Sequence, residues 1–207
     1  MSHANQARFI TLEGGEGTGK STQIKLLASH LQSLGLDVLT TREPEGPIRN
    51  LLVNGDAEWL PQSEALLHFA ARFEHLSNVV RPALAAGQWV VCDRFADSSM
   101  AYQGIVQGAG AGFVNELYQL VAGDFAPDLT LVLDLPIEIG LMRASERGVG
   151  EDRYERMGTA FHTQLRQAFI DIARMNADRC RLIDANRSIE AVSEHICSVV
   201  ADRFGLA

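Results

Sequence analysis

Lysine is nearly absent from this chain: Lys20 and Lys25 stand alone beside sixteen arginines. Acidic residues still prevail, for a formal net charge of −8. A surface of that sign repels nucleic acid and anionic membranes, so neither is an expected partner. No apolar run approaches the roughly 18 residues that span a bilayer. Residues 1–6 lack the apolar core of a signal peptide, which makes the cytoplasm the expected location. Cys92, Cys180 and Cys197 form no C-x-x-C pair and cannot all pair with one another, so buried, reduced thiols are expected. The six histidines are scattered singly, without the spacing of a metal site. There is no internal repeat and no linker. The 207 residues are expected to form a single domain, and 46 % of them are hydrophobic, which is ordinary for a globular chain.

What is present is concentrated in one stretch, Gly14-Gly15-Glu16-Gly17-Thr18-Gly19-Lys20-Ser21. It reads G-x-x-x-x-G-K-[ST], a loop whose backbone N–H groups form a nest for phosphate. Lys20 supplies a mobile positive charge for β- and γ-phosphates, and the Ser21 hydroxyl is suited to Mg²⁺. The flanks agree with the motif. Phe9–Leu12 is a short apolar run of the buried parallel-strand type, and Ile24, Leu27, Ala28, Leu31 and Leu34 recur at helical spacing until Gly35 stops them. The chain is therefore expected to bind a nucleoside triphosphate.

Four more strands are predicted, at 37–41, 89–92, 129–134 and 181–184, each followed by a helical pattern. Between them, 63–86 reads as one long helix that Pro82 kinks or interrupts, and 95–112 as a serine- and glycine-rich loop with a short helix. Strands alternating with helices predict an α/β fold: a five-stranded parallel sheet of the P-loop NTPase type, helices on both faces, and ligands at the carboxyl ends of the strands.

The loop alone leaves GTPases, ATPase motors and small-molecule kinases open. A GTP switch should carry an Asn-Lys-x-Asp guanine reader, and none exists here. The remaining motifs resemble those of thymidylate kinases of the bacterial type. They are the phosphate loop through Thr22, Thr41-Arg42-Glu43-Pro44, Phe69-Ala70-Ala71-Arg72, Cys92-Asp93-Arg94-Phe95, Ser98-Ser99-Met100-Ala101-Tyr102-Gln103-Gly104, Pro127 to Asp134, and Asp152-Arg153. The resemblance runs almost end to end. It implies transfer of the γ-phosphoryl of ATP to dTMP, with Mg²⁺, by a homodimer. The alternatives are another nucleoside-monophosphate kinase of the same class and a non-catalytic nucleotide-binding protein.

The resemblance also implies residue roles. Gly14, Gly15, Glu16, Gly17, Thr18, Gly19, Lys20, Ser21 and Thr22 would hold the donor, with Ser21 and Asp93 near the metal and Arg143 near the adenine. Arg42 and Arg94 would hold the acceptor phosphate, and Arg49 would line the same site. Glu16 would face the deoxyribose hydroxyl, and Tyr102 the 2′ side of the sugar. Arg72 would donate to thymine O4, Phe69 would stack on the base, and Ser98, Ser99 and Gln103 would close the pocket. A short lid over residues 143–153 would bring Arg147 or Arg153 to the transferring phosphoryl, because the loop carries Thr18 where some relatives carry Arg. Lys20, Asp93, Arg94, Arg147 and Arg153 are thus the candidate catalytic residues. The chain departs from the family in two places. Glu45-Gly46-Pro47 leads straight to Ile48-Arg49 where relatives have a longer loop, and Ile105-Val106-Gln107 replaces a glycine run.

Overall fold

Strands of five or six apolar-rich residues carry the core, and in the computed structural model they form one parallel sheet in the order β2-β3-β1-β4-β5. Residues 6–53, 57–146, 153–154 and 156–206 are described. The strands are β1 (Phe9–Glu13), β2 (Val38–Arg42), β3 (Trp89–Asp93), β4 (Leu129–Asp134) and β5 (Cys180–Asp184). β1 lies at the centre, paired with β3 on one side (Thr11 opposite Cys92) and β4 on the other (Thr11 opposite Thr130). The phosphate loop thus leaves the middle of the sheet at its carboxyl edge, as predicted.

Alternation along β1 assigns the two faces. Ile10 and Leu12 point toward α1 (Lys20–Ser33) and α9 (Ile189–Phe204), where Leu27, Leu31, Ile196 and Val200 close one core. Phe9 points the other way, packing with Leu76, Val80 and Phe95. Beside that second core, α8 (Thr159–Met175) lays Leu165, Phe169 and Ile172 against Val132 and Tyr102. Thr11 shares the second face and hydrogen-bonds the Thr130 hydroxyl at 2.8 Å, which satisfies two buried polar groups inside the sheet.

The helical segments differ from expectation in two instructive places. The pattern at 63–86 divides into α3 (Pro61–His75), a π-helical turn over Leu76–Val80, and α4 (Arg81–Ala85). The widened turn comes just before Pro82, which sits in the first turn of α4, where its missing N–H costs nothing. The stretch after β3 is more helical than its composition suggested: α5 (Ala96–Ser99) runs into a π-helical segment, Met100–Val106. The remaining helices are α2 (Gly46–Val53), which starts directly after Glu45, α6 (Ala111–Val121) and α7 (Ile137–Glu146). Among the cysteines, Cys92 and Cys180 are buried as expected, Cys197 is only half-buried, and all three are free thiols. No described helix is long and apolar enough to cross a membrane.

Candidate active site

A cavity of about 680 Å³ opens along the carboxyl edge of the sheet. Its floor is the phosphate loop, which turns through positive φ at Gly14, Gly17 and Gly19. At Gly14 and Gly17 no other residue fits: a Cβ would stand 2.5 Å from the Leu133 carbonyl oxygen at Gly14 and 2.0 Å from that of Gly140 at Gly17. Lys20 is nearly buried, and its ammonium donates to the Gly14 and Gly15 carbonyls at 3.1 and 2.8 Å. Burial, then the positive charge of Arg94, push it down to about 8. The Ser21 hydroxyl donates to Asp93 Oδ2 at 3.0 Å, so helix α1 and strand β3 bring the two predicted metal-side residues together. Among the described residues no cluster of three or more His, Cys, Asp or Glu could hold a metal by itself.

Arg94 follows β3 directly and, among the described residues, is the one non-glycine residue with positive φ, 67°. Its guanidinium donates to the Gly14 carbonyl at 3.0 Å, to Ser98 Oγ at 3.2 Å and to Glu16 Oε1 at 2.7 Å. Tyr102 donates its hydroxyl to the same Glu16 oxygen at 2.7 Å. Burial alone would raise the Glu16 carboxyl; Arg94 and Lys20 outweigh it and bring it down to about 2. Glu16 is thereby an ionised acceptor at any working pH. Arg42 stands 3.9 Å from Asp93 and is half-exposed on the cavity wall.

At the opposite end, Arg72 is 2 % exposed. Its Nε donates to Glu43 at 2.8 Å and its Nη2 to Ser99 at 3.1 Å, while Nη1 has no protein partner. Glu43 is held in turn by His75 Nδ1 at 2.8 Å, and His75 Nε2 pairs with Thr41 at 2.8 Å. Arg72 is therefore held through two of its nitrogens and lines the cavity with Nη1 unpaired. A buried donor without an acceptor is costly.

The structure brings together on this wall Glu16, Gly17, Thr18, Gly19, Lys20, Ser21, Thr22, Arg42, Arg49, Arg72, Asp93, Arg94, Ser98, Ser99, Tyr102, Gln103 and Arg143. Arg49 also donates to the Pro44 carbonyl at 3.4 Å. Gly14 and Gly15, also expected at the donor, are not among the lining residues, and Gly15 borders a smaller cavity instead; two further expected residues stand elsewhere. Phe69 is 1 % exposed and does not line the cavity; its ring lies behind the Arg72 guanidinium, 4.5 Å from ring centre to charge. It supports the arginine, and its neighbour His68 lines the cavity instead. Arg153 does not line the cavity either: it is ion-paired to Glu64, a buried residue of α3, and donates to the Ala57 carbonyl at 3.1 Å. Arg147 lies outside the described residues, as do Gly148 to Asp152 of the lid.

Sequence reasoning missed several wall or support residues. Glu43 and Glu64 are both buried acids: Glu43 anchors Arg72, and Glu64 accepts from Gln103 at 2.8 Å and from Tyr154 at 2.6 Å. Arg187, in the turn between β5 and α9, lines the far end of the cavity beside Ala185 and Ile189. His68 and Phe69 sit four and three residues before Arg72, and both spacings neighbour it on a helix, so periodicity could not choose between them. His68 Nε2 lies 3.3 Å from the Tyr154 hydroxyl, and burial together with Arg72 pushes its imidazole down to about 3, so it is neutral.

Comparison with known proteins agrees with this geometry. The family model described as thymidylate kinase matches residues 12–196. The thymidylate kinase of Caulobacter vibrioides is 51 % identical over 207 residues, covering 97 % of this chain and 99 % of that protein. That of Magnetococcus marinus is 48 % identical over 205 residues, covering 96 % and 98 %. Among solved structures, the thymidylate kinase of Ehrlichia chaffeensis superposes with a TM-score of 0.76 at 32 % identity, over 94 % of this chain and 99 % of that one. A phosphate loop at the sheet's central strand, a strained arginine beside it and a buried arginine across the cavity thus occur in a chain that belongs to the thymidylate kinase family.

Proposed function

We propose that the protein transfers the γ-phosphoryl group of ATP to dTMP, with Mg²⁺, giving dTDP. The observation that carries the acceptor assignment is the free Nη1 of Arg72, a donor fixed in the same cavity as the phosphate loop. Guanidinium has only donors, so it matches the O4 acceptor of a thymine and opposes the exocyclic amine of a cytosine.

The lining residues support the following division of labour. The loop amides and Lys20 receive the donor phosphates, and Arg187 and Arg143 line the end where the adenosine part would lie. Arg94 and Arg42 flank Asp93 at the junction and hold the acceptor phosphate in line. Ser21 and Asp93, 3.0 Å apart, are oxygen donors of the type Mg²⁺ prefers, Ser21 directly and Asp93 through water. When bound, the ion would neutralise phosphate charge as the phosphoryl group moves. Ionised Glu16 accepts from the deoxyribose hydroxyl, and the Tyr102 ring, fixed through its own hydroxyl, presses on the sugar beside it. Loose phosphoryl transfer needs this positioning and charge balance more than any covalent step.

The homodimer belongs to the same proposal. Leu66 and Phe73, seven residues apart on α3, are each 51 % exposed, and Leu51 of α2 and Leu120 of α6 are exposed as well. Large apolar side chains on one helix face of that kind are supplied with cover by a second copy.

A coupled ADP-release assay with dTMP, dUMP, dCMP, AMP and GMP tests the reading. Activity confined to dTMP, with weaker dUMP turnover, is expected; preference for a purine or cytosine nucleotide would overturn it.

A further inference from the structure

Glu13 is the last residue of β1, fully buried, and does not line the cavity. By alternation it shares the sheet face of Phe9 and Thr11, which directs it under the loop that follows β3. There it gathers three donors. Its Oε1 accepts from the Phe95 N–H at 2.7 Å and the Ser98 N–H at 3.3 Å, and its Oε2 accepts from the Ser98 hydroxyl at 2.6 Å. These donors follow Arg94 in the chain, and its left-handed backbone is one an L-residue adopts only under constraint. The Ser98 oxygen that donates to Glu13 also accepts from Arg94 Nη1 at 3.2 Å.

We infer that Glu13 is a positioning residue for Arg94: its carboxylate clamps residues 95 and 98, holds the strained turn, and terminates the donor chain Arg94 to Ser98 to Glu13 that aims the guanidinium into the site. The inference rests on the reading of Arg94 as the acceptor-phosphate ligand. Only an acceptor on both oxygens completes the chain, because the Ser98 hydroxyl already receives the Arg94 hydrogen and must pass its own onward. Ionisation is finely balanced here. Burial and the Asp97 charge push the Glu13 carboxyl up to about 7, against the Ser98 hydroxyl, Arg94 and the Phe95 N–H. Asp97 is itself held by Arg179 through two contacts of 2.7 and 2.8 Å. Lys20, Cys92 and Cys180 are the other titratable groups that feel its charge.

The test uses Glu13→Gln, which keeps the shape but places a donor against Ser98, and Glu13→Asp, which keeps the charge but is one methylene too short to reach both clamped residues. Each should lower kcat/KM for dTMP on the order of 10²-fold, the loss expected of a misaimed reacting group. ATP affinity, titrated without dTMP, should stay nearly unchanged, and in the Arg94→Ala background Glu13→Gln should add no further loss. A residue that merely supported the fold would weaken both substrates together and add its effect to that of Arg94→Ala. Full dTMP activity in both Glu13 variants, beside a severe Arg94→Ala defect, overturns the inference. Full dTMP activity in Arg94→Ala overturns instead the reading on which it rests.

Discussion

Replacing Arg72 by lysine tests base recognition most directly. Arg72 divides its donors three ways: Nε to Glu43, Nη2 to Ser99, and Nη1 to the cavity. A lysine ammonium is a single point and cannot serve the buried Glu43 and the cavity wall together. Glu43, buried and otherwise held by His75, would claim it. The variant is therefore expected to fold and to lose the bond proposed to the base. A hydrogen bond from a charged donor is worth about 1.5–3 kcal/mol, so kcat/KM for dTMP should fall roughly 10- to 150-fold. Discrimination against dCMP should narrow at the same time. In the parent, a fixed donor faces the cytosine amine, a mismatch that can reject an analogue by roughly 10⁴-fold. The coupled assay run with both nucleotides reads both effects. Arg72→Ala is a poorer probe, because it strands a buried carboxylate at a cost of about 3–5 kcal/mol. At this chain length that corresponds to a drop of roughly 6–20 °C in Tm. If Arg72→Lys retained dTMP turnover within about threefold and full rejection of dCMP, a change below the smallest loss a charged hydrogen bond explains, Arg72 would not read the base.

Arg153→Ala asks whether the lid arginine leaves Glu64 during the reaction: loss of an arginine that meets charge only in the transition state should cut kcat on the order of 10²-fold or more with little change in either KM. Single-turnover kinetics measure it, and an unchanged kcat moves the role to Arg147 or Arg143. Phe73→Arg, a charge on the exposed face of α3, should give a monomer by light scattering; a dimer of undiminished affinity would place the interface elsewhere. For Glu13, a carboxyl raised from 4.5 to about 7 makes the folded state hold a proton that the unfolded chain has lost. Its stabilising contribution is complete below about pH 4.5 and disappears as pH rises through 7, a loss of up to roughly 3 kcal/mol. Urea midpoints between pH 5 and 8 should fall less steeply in Glu13→Gln than in the parent, and equal slopes would contradict the assignment.

The phosphate loop and the strand–helix alternation were legible in the chain itself. Each depends on local physics: glycines that permit positive φ, apolar runs that make buried strands, and a periodicity that makes helices. The placing of Asp93 and Arg94 at a strand end was legible for the same reason, since a parallel sheet presents its carboxyl edge to the ligand. The division of work among neighbouring side chains was not. Phe69 and His68 both flank Arg72 on one helix, and only the packing of α3 against α2, α6 and the Met100–Val106 segment decided that Phe69 backs the arginine while His68 lines the cavity. Arg153 is attracted to Glu64, 89 positions away, and no local pattern encodes that meeting. Glu13 looks in sequence like a polar end to a strand. The turn after β3, brought alongside by the parallel pairing of β1 and β3, supplies the three donors that make it an anchor. Local rules determine which elements form and where the loop between them bends. Which buried charge answers which is set by contacts between distant segments, and those exist only once the sheet has closed.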